Sequence, residues 1–289
     1  MRSPIVLGLV LALGAGGSLL PAQATAQNAR VARAQAEASM VLTGTIDISP
    51  RGTVEAFTLR DEAKVESYLQ DFVRKNVVQW RFEPVIRDGV AVPARTPVSL
   101  RLVARQAPEN GMDVELKSAS FRNYDSGSTD EVVYENMTPP RYPRDVFSQG
   151  GAGEVLLLVQ VARDGSVANV AAEQVNLYVA GAARLMQQMR DRLEQASINA
   201  ARRWSFRPPS TGEHADQASW TVRIPVTFRI GDREERYGRW QAYVPGPRQK
   251  AFWDVGSATD DASADALPEG GVYMAGIDKG PKLLTPLGG

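Results

Sequence analysis

The 289-residue chain contains no cysteine and a single histidine, His214. Disulfides, thiolate metal sites and a cysteine nucleophile are therefore excluded. One imidazole cannot assemble a multi-histidine zinc site, and a Ser-His device would have to be built on His214 alone. Excess charge of either sign is also absent, with 33 basic against 33 acidic residues. That balance does not mark the whole chain as a binder of nucleic acid or anionic membranes. After Leu20 no run is apolar enough to span a bilayer.

The first residues are the exception. Arg2 gives a short positive start, and Ile5 to Leu20 is apolar but softened by Gly8, Gly14, Gly16 and Gly17. Pro21 breaks the run, and small-residue cleavage patterns follow at Ala22-Gln23-Ala24 and Ala24-Thr25-Ala26. The run is short for a bilayer span of about 20 residues. Residues 1–26 read as an export leader that is removed, leaving the chain in a bacterial periplasm. The alternative is a retained anchor in the inner membrane, with the rest facing the periplasm. An exported chain without cysteine must be stable by packing alone.

What is present is a pattern that occurs twice. Residues 27–39 are Ala- and Arg-rich and read as a short helix or a loose segment. From Met40, MVLTGTIDI, the turn SPRG and TVEAFTL predict a hairpin. Asp61 to Val78 reads as a helix with Val65, Leu69, Phe72, Val73 and Val77 on one stripe. VQWRFEPV follows, and Val90 to Ala104 is extended. Further on, GEVLLLVQVAR, the turn Asp164-Gly165 and a returning strand predict a second hairpin. Ala182 to Arg203 reads as a helix with Met186, Met189, Leu193, Ala196 and Ala200 on one face. RRWSFRPP follows, and SWTVRIPVTFRI is the last strand.

Turn, helix, W-x-F-x-P and P-V-x-strand recur in one order, which marks an internal repeat. Trp80 and Phe82 share one strand face, as do Trp204 and Phe206. All four are expected in cores, under the helix stripes. Pro84 and Pro208 end their strands because they have no N–H for a ladder. In the last strand Trp220, Val222, Ile224, Val226 and Phe228 alternate with Thr221, Arg223, Pro225, Thr227 and Arg229. Pro225 places this strand at a sheet edge. Such an edge either accepts a strand from a partner or is guarded against one by its proline and arginines.

PPRYPRDVFSQGGAGEVLLLVQVARDGSVANV, NAARRWSFRPP and WTVRIPVTFRI together resemble the TonB C-terminal domain family. The matching positions are Tyr142-Pro143, Gly153, Asp164-Gly165, Arg202-Arg203-Trp204, Phe206 and Pro208. The resemblance spans 139–230. Residues 40–105 resemble a degenerate second copy, without the Y-P and with Gln79 in place of the second arginine. Residues 106–138 read as a linker and 231–289 as a mostly disordered tail.

The resemblance implies an α+β fold of two units, each a helix packed on a small antiparallel sheet. It implies no reaction, no cofactor and no metal. It implies partners that are extended peptides of outer-membrane transporters or other envelope proteins, and strand swapping that could make a homodimer. Pro140, Arg141, Tyr142 and Pro143 occupy the positions at which the family meets such peptides. Trp220, Arg223, Pro225 and Arg229 on the last strand join them as expected partner-binding residues. This chain has no Pro/Lys-rich spanning linker, so the reading is a periplasmic interaction module. The alternatives are a membrane-anchored transducer and a cell-wall or glycan-binding envelope protein. For the last, the aromatic and basic stretch 236–256 is the candidate surface, unless Trp240, Tyr243, Phe252 and Trp253 simply dock the tail. Nucleic acid is not an expected partner. Asp260-Asp261 and His214 with Glu213 and Asp216 read as solvated charge, not catalytic groups.

Overall fold

The computed structural model describes residues 37–106, 112–231, 236–253, 264–277 and 280–288. The expected leader and Asp260-Asp261 lie outside these residues. Along the chain run β1 (Glu37–Ile48), β2 (Val54–Leu59), α1 (Ser67–Val77), β3 (Ile86–Arg87), β4 (Val90–Ala91), β5 (Ala94–Gln106) and β6 (Met112–Ser120). They are followed by β7 (Val133–Asn136), α2 (Arg144–Ser148), β8 (Gly153–Ala162), β9 (Val167–Leu177), α3 (Ala183–Ala201), β10 (Ser205–Arg207) and β11 (Ser219–Phe228). β12 (Gln241–Tyr243) and β13 (Tyr273–Met274) lie beyond the last long strand. The result is a mixed α and β structure whose sheets are antiparallel.

Two sheets carry the architecture. The first has the order β12-β1-β5-β6, with β2 also paired to β1. The second has the order β13-β11-β8-β9. The alternating hairpin sequences form β1–β2 and β8–β9, and the last extended segments, β5 and β11, pair with β1 and β8. On the first sheet, Leu69, Val73 and Val77 of α1 pack with Leu42, Ile46, Leu100 and Leu102. On the second, Met186, Met189 and Leu193 of α3 pack with Val155, Leu157, Val222 and Ile224. Each fully buried side chain of this size contributes about 1.5–3 kcal/mol.

Trp80 and Phe82 are each 1% exposed, and Trp204 and Phe206 are 4% and 2% exposed. The rings sit under the helices because the chain leaves each helix directly into the aromatic strand. Trp80 N–H donates to Val77 O (3.1 Å) and Trp204 N–H to Ala201 O (3.0 Å). Each hairpin turn then clamps the aromatic strand. Phe82 N–H donates to Gly52 O (2.8 Å), and Phe206 N–H donates to Gly165 O (2.9 Å). Gly52 and Gly165 have φ of 77° and 82°, and a Cβ on either would lie 1.9 or 2.0 Å from the carbonyl oxygen of the phenylalanine. Only glycine meets both demands.

Several expectations are corrected. The first helix is split: Glu62–Lys64 is a single 3-10 turn, Val65 is extended, and α1 begins at Ser67. Glu37 to Ser39 belong to β1 and not to a helical lead-in. The expected linker contributes β6 to the first sheet and β7 as the partner of β10.

The expected disordered tail is, over its described residues, packed on both halves. Tyr237 is 9% exposed, and its hydroxyl meets Thr43 N–H and O between the stretches of β1 that pair with β12 and β2. Tyr243 is fully buried, and Val244 exchanges two backbone hydrogen bonds with Leu177 at the end of β9. Phe252, at 79% exposed, does not dock.

A buried charge cluster lies between the two sheets. Arg101 of β5 and Glu154 of β8 are 3% and 5% exposed and 3.6 Å apart. Arg101 also donates to Asp265 O (2.6 Å) and Ser39 Oγ (3.1 Å), and lies over the Tyr243 ring. Tyr178 donates to Glu154 Oε2 (3.2 Å). Burial pushes the Glu154 carboxyl up from its ordinary range, against the pull of Arg101.

Two outcomes test this architecture. Gly165→Ala should destabilise far more than Gly150→Ala in urea unfolding. Both sites have positive φ, but only a Cβ at residue 165 meets backbone; at residue 150 nothing lies within 4 Å. Equal losses would contradict the clamp. Arg101→Ala should cost about 3–5 kcal/mol by stranding a buried carboxylate, and Arg101→Met with Glu154→Leu should recover much of that loss. An unchanged urea midpoint for Arg101→Ala would show that the pair does not join the halves.

Candidate functional site

The Y-P segment lies against the end of the last long strand. Pro143 caps the short helix α2, whose Val146 is buried. The Tyr142 ring stacks on Phe228 of β11, with centroids 5.3 Å apart and planes at 15°. Phe147 of α2 meets Tyr142 edge-on at 5.4 Å. The Tyr142 hydroxyl donates to Gly151 O (2.5 Å), and burial raises its pKa. Phe147 itself is 53% exposed, although it is a large apolar ring in a packed corner. Arg141 and Arg144 are exposed on either side, while Pro140 is half-buried.

The adjoining edge of β11 is partly filled. β8 pairs with it from Ser219 to Phe228 in one unbroken register. On the other side β13 pairs only with Val222 and Arg223, and Ala275 N–H donates to Thr221 O (2.8 Å). Peptide groups two apart in a strand face the same way. The outward groups of β11 are therefore those of Ser219, Thr221, Arg223, Pro225 and Thr227. The chain's own segment takes those of Thr221 and Arg223. Pro225 offers a carbonyl but no N–H, and Thr227 offers both. The expected open edge thus shrinks to a short stretch directly beside the Tyr142–Phe147–Phe228 corner.

The side chains of β11 also depart from expectation. Trp220 is 2% exposed, with its indole N–H donating to His214 O (2.8 Å). Arg223 is 3% exposed and binds Glu173 of β9 through two nitrogens, at 2.8 and 3.2 Å. Pro225 is buried. Arg229 donates to Glu269 Oε2 (2.7 Å). Trp220 lies in the core under α3, whereas Arg223, Pro225 and Arg229 are held inside the chain because residues 264–274 cover the polar face of the second sheet. Leu156 of β8 packs there with Ala264, Leu267 and Tyr273. Arg122 donates to Met274 O (3.1 Å) and Ile277 O (2.7 Å) and holds this segment in place. Of the residues expected to meet a partner, the structure groups Tyr142 and Pro143 with the free part of β11. Trp220 and Arg223 are withdrawn into the interior.

Sequence reasoning missed Phe147, Phe228, Glu173 and Glu154. For the charges a signal existed: Glu154 opens an otherwise apolar strand, GEVLLLVQVA, and Glu173 stands in β9, two strands from the arginine-bearing β11. An acid inside an apolar strand needs a cation across the sheet. Phe147 had no comparable signal, since a phenylalanine beside a buried valine reads as core.

A polar cavity of about 80 Å³ lies between the sheets, lined by Ser99, Arg101, Glu154, Tyr178 and Asp265 among others. Among the described residues, no group of three or more His, Asp or Glu side chains could hold a metal ion. No described helix is long and apolar enough to cross a membrane. His214 is paired with Glu213 (3.0 Å) and Gln217 (3.1 Å) on a loop.

No protein-family model matches the chain. Two curated relatives called Protein TonB, from Xanthomonas campestris pv. campestris strains B100 and ATCC 33913, are each 34% identical over 106 residues, 37% of this chain and 41% of the relative. Protein tonB2 of Pseudomonas aeruginosa is 30% identical over 97 residues, 34% of this chain and 31% of the relative. The chain thus spans about two fifths of the curated relatives it matches first. The solution NMR structure of the Pseudomonas aeruginosa TonB CTD aligns with 39% of this chain and 99% of its own, at 19% identity and a TM-score of 0.24, too low to bear on the fold. Over about a third of its length, the chain is similar to these curated TonB proteins.

Proposed function

We propose that this chain is a periplasmic interaction module of TonB type that binds extended peptides of outer-membrane transporters. The single observation that carries the reading is the Tyr142–Phe147–Phe228 corner beside a stretch of β11 edge, Pro225 to Thr227, that the described residues leave unpaired. A peptide entering there would pair with Pro225 O and Thr227 N–H. It would lay an apolar side chain on Phe147 and meet Arg141 and Arg144. Backbone pairing supplies affinity and the aromatic corner supplies selectivity. Pro225 limits the ladder, so binding is weaker than full strand addition. The proposed role is that of a binder, in keeping with the TonB relatives.

The two halves are proposed to be related units, 40–105 and 139–230, derived by duplication. The paired glycine clamps, the buried tryptophans and the matching strand orders support this. Residues 1–26 are proposed to be removed on export, and the mature N-terminus read by mass spectrometry tests that directly.

The binding experiment is titration of the full chain with synthetic peptides from transporter N-termini. Phe147→Ala should weaken binding about tenfold, the loss of a 1.4 kcal/mol contact, while leaving the melting temperature unchanged. No preference over a scrambled peptide, or binding indifferent to Phe147→Ala, would contradict the reading.

A further inference from the structure

The strand that carries each buried tryptophan has a second neighbour besides its glycine clamp. In the second half it is β7: Phe206 pairs with Tyr134, and Trp204 Nε1–H donates to Thr138 O (2.9 Å), four residues further along. In the first half the same geometry is built from the far end of the chain. Phe82 pairs antiparallel with Leu283, and Trp80 Nε1–H donates to Leu287 O (3.4 Å), again four residues further along. Glu83 N–H donates to Lys282 O (2.9 Å) and Leu284 N–H to Arg81 O (2.8 Å). Arg81 N–H donates to Thr285 Oγ1 (3.2 Å). Leu283 and Leu287 rest, half-buried, on the first core.

This C-terminal strand is held differently from the rest of the tail. Tyr273 and Met274 are 3% and 2% exposed and form part of the interior. In contrast, Leu284 is 58% exposed, and the Lys282–Glu83 ion pair is on the surface. Its backbone pairing spans only a few residues. A strand with these properties is bound as a ligand is bound, through an edge and two apolar anchors.

We propose that the groove beside Arg81–Glu83, closed at one end by the Trp80 indole, is a peptide-binding site. Its resident ligand is the chain's own Lys282–Leu287 segment, which can leave and be replaced by the same segment of a second copy. The site selects an extended peptide with leucines four apart and a carbonyl placed for the indole N–H. It is distinct from the Tyr142 corner, and transporter peptides are not its ligand.

The probe is a fluorescein-labelled peptide, GPKLLTPLGG, added to the full chain. In wild type the resident segment competes, so apparent affinity is reduced by the fraction of sites left open. Leu283→Asp with Leu287→Asp unseats the segment, and the probe should then bind at least about tenfold tighter than to wild type. Adding Trp80→Phe to that variant removes the indole donor and should weaken the probe again. Equal affinity for wild type and the double variant, or no binding to a double variant whose circular dichroism is native, overturns the proposal.

A second measurement avoids the aspartates. A dye on Gly288→Cys, the sole thiol of the chain, reports the segment directly. Excess unlabelled peptide should lower the dye's anisotropy, and an anisotropy unmoved at saturation overturns the exchange.

Discussion

A buried indole carries an N–H that must find an acceptor, and this requirement organises much of the molecule. Trp80 and Trp204 are sealed under helices that end just before them, so no helix carbonyl is available to their ring nitrogens. Each N–H is met by a carbonyl on a neighbouring strand, at residue 287 and residue 138 respectively. Leaving such a donor unpaired in a core costs about 1–3 kcal/mol. The need for a strand there therefore follows from the burial of the ring. It explains why residues read as linker and as tail are structured.

The sequence displayed the parts governed by local chemistry. Hairpins appeared through alternation and the turns at Gly52 and Asp164-Gly165, and helices through their apolar stripes. The paired aromatics appeared in the core because W-x-F places two rings on one face. What stayed hidden depended on distant segments. Arg223 in an alternating strand looks solvated, yet Glu173 and the cover of residues 264–274 bury it. Pro225 suggested a free edge, yet its missing N–H faces the side that β13 only partly fills, so it is tolerated in a strand with neighbours on both sides. The polar C-terminal composition signalled disorder. Its short apolar pieces, VYM and KLLTPL, are too brief to show periodicity, and what orders them is the edge each one meets.

Charge ties the halves together. Arg101 and Glu154 are buried in the strands β5 and β8, where each charge alone would be expensive. Together with Asp265 and Tyr178 they connect β5 to β8 and fix the covering segment between them. This arrangement places the aromatic corner at Tyr142 on one end of a rigid sheet. Such a placement suits the proposed presentation of a short edge to an incoming peptide.

Exchange of the indole N–H protons, resolved by NMR for the five tryptophans, tests this dependence most directly. Trp204 should exchange slowly, Trp80 more slowly than the half-buried Trp240, and loss of the C-terminal strand should accelerate Trp80 alone. Exchange of Trp80 or Trp204 as fast as Trp240 would mean that the rings are not sealed by neighbouring strands.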